Sequence, residues 1–565
     1  MKSLFTIALI VLGAALLLTR WSEPDMRSDV PVLYWVIDPA PVRAEHIRLF
    51  HRWQIDSGNC TEHELKDSAD VESFRHRRWS PGIAQTIREG NDQGAAILDG
   101  TVPSARLPLT VRVPKAELRL DAASNDMSKK LIQGVSGVAG DIMEAYGSGG
   151  VQYLASGGLV ADLTDDARRL GFGPEMTYPA LQPAFSYEGR QYAFPRNPNT
   201  EMYWVNKDTF ARYGQPLPPR RWTIEEFEAR GKAFVAAANP EGQRRTAFFA
   251  DRVDIFQMRR SLGLDVFNET LTRCVLDDER CARIYALILK WVEVDHILPS
   301  NADRASFSTQ AGGWGSLTGQ LFANGTIGLL LSGRYQLMQF RNLTPLPLAV
   351  VEPPNGGFPN TSFGSGEATV YRGSKYPELA VLFLAFYASE AYSMQIVRDG
   401  DGLPPIPKYT LTGEYLYPAD YTNEWGCHEV FATDALHNAI VTSFSPFVQA
   451  GVVERYEWMM LGAVLAGRMT PGTAAREIAD RINREIELAV EENPGLQVEY
   501  EVACSVQERI EQYRRDDRPV PAAWVRNPFL QRVYTEHGWL ERDAIPVAAV
   551  EGVSMHREES THAHP

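Results

Sequence analysis

The chain has 565 residues, of which 44% are apolar and 22% charged, and its formal net charge is −15. That length supports two or more hydrophobic cores, and the composition is that of a soluble globular protein. The acidic balance, with no long basic run, excludes a nucleic-acid or anionic-membrane surface, which needs clustered Lys and Arg.

At the N-terminus, Lys2 precedes the apolar run Leu4 to Leu18, which has the length of a signal-peptide core. The following Thr19-Arg20-Trp21-Ser22-Glu23-Pro24 offers no A-x-A cleavage pattern, and the first cysteine is Cys60. Residues 1–24 are therefore expected to form either a cleaved signal peptide or an uncleaved membrane anchor. Either places the remainder outside the cytoplasm, in the periplasm or beyond.

Val30 to Ile37 (VPVLYWVI) reads as a buried strand, and Val42 to Trp53 carries apolar residues at helical spacing. Cys60 to Pro114 is polar and punctuated by Pro103, Pro108 and Pro114, so irregular structure or a small excursion is expected there. Lys115 to Asp121 alternates as a strand, Asn125 to Gln133 is helical, and Val138 to Glu144 is a third strand before a Gly-rich turn. This β-α-β-α-β order implies a parallel sheet flanked by helices.

Residues 187–228 are the most informative stretch. Glu188-Gly189 marks a tight turn inside the alternating Tyr187 to Phe194. Pro195 and Pro198 then break pairing. Glu201 to Val205 resumes as a strand, on which Tyr203 and Trp204 point to opposite faces. Thr223 and Glu226 form a capping box for the next helix. Cys274 and Cys281 lie near a strand end and the next helix start, and are candidates for a local disulfide. Cys427 and Cys504 form a second candidate pair, leaving Cys60 odd. Residues 491–565 are Pro-punctuated, with two short helical stretches and a polar tail containing His556, His562 and His564.

Several chemistries lack their signatures. There is no Gly-x-Ser-x-Gly elbow, no phosphate loop, no dinucleotide fingerprint and no His-Glu-x-x-His. Among 71 acidic residues some pair will always look like a glycosidase dyad, so spacing alone establishes none. No catalytic residue, metal or cofactor is assigned.

The hairpin-Pro segment at 187–228 resembles the central part of ABC-transporter extracellular solute-binding proteins of the sugar-binding type. Further motifs follow in the same order. They are Gly140-Asp141-Ile142 with Ala155 to Leu163, Gly319 to Tyr335, Ser365 to Ser389, Gly402-Leu403-Pro404-Pro405, and Gly467 to Ala474 before an amphipathic helix. The resemblance covers about residues 30–490 and implies an α/β, two-lobed periplasmic-binding-protein fold of type II. Each lobe would be a sheet flanked by helices, with a cleft and hinge strands between them. It assigns residues 30–198 plus 368–445 to lobe 1, with an insertion at about 60–114, and 199–367 plus 446–490 to lobe 2. Residues 491–565 are left as a C-terminal extension. The hinge strands are expected near 195–202 and 363–370. The implied function is capture of a sugar or oligosaccharide by a monomer and delivery to the membrane permease of an ABC importer. The other readings are a secreted carbohydrate-active enzyme, or the same fold binding a polyamine, a phosphate ester or a metal chelate.

A sugar site needs flat aromatics for ring faces and polar groups for hydroxyls, placed at strand carboxyl ends. Asp38 follows the first strand as a ligand contact or a helix N-cap. Ser124, Asn125 and Asp126 follow the second as ligand contacts or caps, and Tyr146 follows the third as a stacking or packing ring. On the first crossing segment Asn199 faces the ligand or makes an Asx turn. Trp314 sits in a Gly-rich loop. Tyr335 stands where the resemblance places a stacking Trp, and Arg334 beside it contacts the ligand or makes a surface salt bridge. Glu367 lies between flexible glycines on the second crossing segment.

Overall fold

In the computed structural model, residues 28–146, 149–241, 245–307, 316–343 and 345–541 are described. The expected signal peptide or anchor, Trp314 and the His-containing tail lie outside them. The first strand, Val32–Val36, buries Leu33, Trp35 and Val36. It runs parallel to Glu117–Asp121 on one side and Ile142–Tyr146 on the other. Gly366–Val370 then pairs antiparallel with Ile142–Tyr146, and Ala193–Pro195 antiparallel with Gly366–Val370. Parallel neighbours need crossover helices; here these are Arg43–Asp56 and Met127–Val135. Pro377–Tyr387 covers the sheet, with Phe383 edge-on to Trp35 at 5.2 Å and to Phe50 at 5.0 Å. The third strand starts four residues later than expected, because Asp141 is used to bind the Tyr34 N–H (2.8 Å) and the Ser374 hydroxyl (2.6 Å).

The second sheet has the order Phe248–Ala250, Ile327–Ser332, Met202–Asn206, Leu348–Val351. Its strand Met202–Asn206 is buried on both faces. Met202 and Trp204 enter the first core, while Tyr203 enters the second. The two aromatics do point to opposite faces, but neither reaches the cleft. The expected capping box forms: Thr223 Oγ1 accepts from the Glu226 N–H and Glu226 Oε2 from the Thr223 N–H.

Between the two sheets lies a small crossing sheet of three strands, Asn199–Thr200, Ser362–Gly364 and Ile440–Val441. The first two fall where hinge strands were expected, and the third was not foreseen. Glu188 (φ 48°) and Gly189 (φ 74°) make the tight turn of the hairpin at 186–191 with two left-handed residues.

For residues 60–114 the excursion, and not irregular structure, is what forms, and two further expectations are corrected. Residues 60–114 are ordered: Cys60–Leu65 pairs antiparallel with Leu109–Pro114, and three helices pack over them. This unit has its own core, with Leu65, Val71, Phe74, Ile83, Ile87 and Val111. The prolines that suggested irregularity, Pro103, Pro108 and Pro114, lie before or at the end of the strand Leu109–Pro114, and other Pro and Gly residues of the segment are helix boundaries. Pro81 starts a helix behind the Ser80 N-cap, and Gly100 (φ 71°) ends another.

The C-terminal extension is also more regular than expected. It contains a 22-residue helix, Pro494–Arg515, and a second helix, Pro528–Glu536. Glu269 anchors it, accepting from Gln507 Nε2 (2.9 Å), Arg514 Nη1 (2.8 Å) and the Tyr534 hydroxyl.

Finally, Cys274 and Cys281 are free, buried thiols; Cys427 is free and buried as well, and Cys60 and Cys504 are free and partly exposed. Burial pushes the Cys274 and Cys281 thiols up, Cys281 to about 11, which suppresses the thiolate that disulfide formation requires.

Two outcomes are expected. His51 is buried and its Nε2 accepts from the Leu118 N–H at 2.8 Å. Desolvation lowers its pKa to about 4. Because the folded pKa is depressed, its stabilisation is complete above about pH 6.5 and lost as pH falls from there toward 4. NMR titration of the His51 ring should therefore show a neutral imidazole at pH 5.5; protonation near 6.5 would contradict the assignment. Glu269→Ala should cost about 1–3 kcal/mol by stranding the buried Tyr534 hydroxyl. Limited proteolysis should then cut first within residues 494–541.

Candidate functional site

A cavity of about 870 Å³ lies between the lobes. Asp38 and Tyr146 contribute from the carboxyl ends of the first sheet, the crossing segments supply Asn199 and Glu367, and Tyr335 closes the wall from the second lobe. This is the crevice position in which open α/β sheets bind ligands.

The floor is a buried ion network. Arg196 reaches Asp401 (3.1 Å), Glu144 (3.4 Å) and Asp38 (3.8 Å), and Arg43 binds Asp401 (2.5 Å) and Asp38 (3.2 Å). Asn197 Nδ2 donates to Asp401 at 2.9 Å. Glu144 accepts from Trp35 Nε1 (2.9 Å) and the Tyr387 hydroxyl (2.8 Å). Burial opposes ionisation of Asp401, but Arg43 and Arg196 outweigh it and hold its carboxyl well below the usual range. The same balance lowers Asp38. The Tyr146 hydroxyl donates to Asp38 at 2.9 Å and so fixes its ring at the mouth of the strand.

Glu367 behaves differently. It is 3% exposed, and no hydrogen-bond donor meets its Oε2. Burial first, and the neighbouring Glu144 charge second, push its pKa well up. Among the described residues Glu367 forms no ion pair, and the nearby Arg196 charge opposes its burial without outweighing it.

The structure thus brings Asp38, Tyr146, Asn199, Tyr335 and Glu367 to one cavity. Asn125 is not there: its Oδ1 accepts from Lys130 Nζ at 2.9 Å. Ser124 accepts from Gln133 Nε2 (3.0 Å), and Asp126 caps the helix Met127–Val135, so this cluster follows the capping alternative. Asn199 lines the cavity and also accepts the Arg334 N–H at 3.0 Å. The approach is so close that a Cβ on Gly333 would lie 1.8 Å from Asn199 Oδ1.

Arg334 meets neither expectation. It is buried and donates to the carbonyls of Gly402 (2.8 Å) and Val397 (3.0 Å). A cation there satisfies carbonyls left over at the end of the helix Glu390–Asp399.

Sequence reasoning did not find Arg43, Arg196, Asn197 or Asp401, which meet across separations of more than 200 residues. The available signal was the Arg196-Asn197 pair held between Pro195 and Pro198. It also missed Glu499, Arg526 and Pro528 of the extension, which form part of the cavity wall.

The family model described as bacterial extracellular solute-binding protein matches residues 114–394. The chain belongs to this family, whose members serve ABC transporters. Solved structures with the same fold include an ABC substrate-binding protein of Listeria monocytogenes in complex with cycloalternan. That protein is 20% identical, at a TM-score of 0.61, covering 81% of this chain and 100% of its own. The GacH receptor of Streptomyces glaucescens, solved with acarbose, is 16% identical, at a TM-score of 0.55 and coverages of 82% and 99%. UgpB of Mycobacterium tuberculosis, in complex with glycerophosphocholine, is 14% identical, at a TM-score of 0.54 and coverages of 66% and 91%. Among curated proteins, none matches this sequence significantly.

Asp401→Ala should cost about 3–5 kcal/mol, since it leaves two buried guanidinium groups short of a counter-charge. Denaturant unfolding reads this directly; a change under about 1 kcal/mol would mean the network is not a structural keystone.

Proposed function

We propose that this protein captures a sugar or oligosaccharide between its lobes, outside the cytoplasm, and delivers it as a monomer to the permease of an ABC importer. The observation that carries the reading is the interlobe cavity with the Tyr146 and Tyr335 rings in its lining beside fixed polar groups. Flat rings suit the apolar faces of pyranoses, and oriented carboxylates and amides suit their hydroxyls. The cycloalternan and acarbose complexes of proteins sharing the fold support a saccharide. A phosphate ester, suggested by the glycerophosphocholine complex, fits less well because the lining guanidinium groups of Arg43 and Arg196 are already paired. An enzymatic role has less support, because the family and the proteins sharing the fold are binding proteins. Closure about the crossing strands would be a population shift driven by ligand contacts to both walls.

A thermal-shift screen with mono- and oligosaccharides, phosphate esters and polyamines tests this. A saccharide at 100 times its Kd should add about 2.7 kcal/mol of stability; a response confined to non-saccharides would discard the sugar. With a binding saccharide in hand, Tyr335→Ala should weaken affinity by about 1–3 kcal/mol. Tyr417→Ala, exposed and absent from the cavity lining, should leave it unchanged in calorimetry.

A further inference from the structure

The interlobe cavity has a second half, built from other parts of the chain than the strand ends. After the third crossing strand, Ile440–Val441, burial alternates strictly as far as Phe447. Ser443, Ser445 and Phe447 are buried, whereas Thr442, Phe444 and Pro446 line the cavity. Such alternation belongs to an extended chain whose successive side chains leave on opposite sides. The two serines pin this chain. Ser443 Oγ lies 2.9 Å from Asn527 Oδ1 and also contacts Asp265 Oδ2, and Ser445 Oγ donates to the Leu271 carbonyl at 2.7 Å. Phe444, held between them, is half-buried and belongs to none of the hydrophobic cores of the described residues. One edge of its ring rests on Gly149, where a Cβ would come within 2.1 Å of Phe444 Cδ2.

Three further pieces complete this half. Leu271 lines it with a left-handed backbone (φ 63°), which a branched side chain disfavours. Asn268 Oδ1 holds that loop, accepting the N–H groups of Thr272 (2.9 Å) and Arg273 (3.1 Å). Backbone strain enforced in this way clusters at ligand sites. The C-terminal extension adds Pro528, Glu499 and Arg526. It is fixed here through its backbone, since the Arg526 and Asn527 N–H groups both donate to the Glu269 carbonyl, at 2.8 and 3.0 Å. Arg526 and Glu499 pair at 3.0 Å, yet their side chains stay 45% and 37% exposed, so a solute can reach them. From lobe 1 comes Tyr187, on the hairpin at 186–191. Its hydroxyl is pushed up to about 12 by burial first and then by the charges of Glu188 and Glu499, so hairpin and extension lie within electrostatic reach of each other.

The two halves differ in chemistry. Asp38, Asn199 and the paired arginines make the first polar, whereas Leu271, Phe444, Pro446 and Pro528 make the second apolar. A solute of one ring, held by the polar groups, leaves that apolar surface wet, which is unfavourable. The whole cavity, about 870 Å³, also lies toward the upper end of the about 300–1,000 Å³ usual for small-molecule sites. We infer that the solute is a saccharide of at least two rings, and that the second ring stacks on Phe444 in a subsite completed by the C-terminal extension. Glu499 and Arg526 read its hydroxyls, as acceptor and donor at the apolar edge. The inference rests on the reading of the cleft as a saccharide site and narrows it. It also gives the extension a role in specificity.

Calorimetry on the purified protein with probes of graded length tests this: glucose, maltose and maltotriose, then cellobiose and cellotriose, with phenyl glucoside, spermidine and glycerol 3-phosphate as further probes. In the series that binds, the disaccharide should be about tenfold or more tighter than glucose. Phe444→Ala should remove most of that gain and leave the affinity for glucose within about twofold. Arg526→Gln, at an exposed position anchored through its backbone, should remove part of it. Glucose binding as tightly as the longer members overturns the inference while the saccharide reading stands. An equal loss at every length in Phe444→Ala overturns the subsite, because a merely structural role has that signature. Phenyl glucoside gaining as much as the disaccharide overturns the assignment of a sugar to the second half. Binding of spermidine or glycerol 3-phosphate with no response from any saccharide overturns the saccharide reading and the inference with it.

Discussion

The architecture depends on the salt-bridged cluster of Arg43, Arg196 and Asp401 under the cleft. Arg43 opens the first helix of lobe 1, Arg196 lies on the crossing segment, and Asp401 sits in the turn after the helix Glu390–Asp399. Three distant parts of the chain are thereby pinned at one point, directly below the ligand cavity. A buried guanidinium is costly to desolvate and is held only if its donors are satisfied. Here Asp38, Asp401 and Glu144 meet that demand, and they do so where the two lobes join. The arrangement makes the floor rigid, while Glu367 beside it forms no ion pair among the described residues.

Other buried arginines act in the same manner around the hinge. Arg334 ties the second sheet to the carbonyls of Val397 and Gly402 in lobe 1. Arg260 donates to the carbonyls of Ile440 (3.1 Å) and Val441 (2.8 Å) on the third crossing strand, and lies over the Phe529 ring at 5.2 Å. Phe529 belongs to the C-terminal extension, so the extension is packed against the hinge as well as against the cavity. Asn527 strengthens that link, with its Oδ1 2.9 Å from Ser443 Oγ and its Nδ2 donating to the Phe267 carbonyl at 2.9 Å. Movement of the lobes must therefore be accommodated by a crossing sheet whose third strand is braced from outside.

Much of the fold was legible because its signals are local. The alternating VLYWV strand, the Glu188-Gly189 turn and the Thr223/Glu226 capping box each specify backbone within a few residues, and each appears as expected. Errors arose where a local sign had two meanings. Proline and glycine in residues 60–114 mark helix boundaries as well as breaks, and only the shared core of Leu65, Phe74, Ile83 and Val111 decides between them. Asn125 and Asp126 look the same as ligand contacts or as caps; the backbone N–H groups of Ser128 and Lys129 claim Asp126, and Lys130 claims Asn125.

By itself the sequence determined the first strands and helices, the hairpin turn and the capping box, because periodicity, turn chemistry and capping act over short stretches of chain, while the two-lobed class and the crossing segments followed from the family resemblance. It also placed Asp38, Tyr146, Asn199, Tyr335 and Glu367 near strand ends or crossings, which in this architecture means near the cleft. Only the tertiary structure decided which charges meet. Asp401 comes to Arg43 across 358 positions and to Arg196 across 205, and Glu269 gathers a helix more than 200 residues away. Such pairings depend on desolvation and distance, which no local pattern of residues encodes.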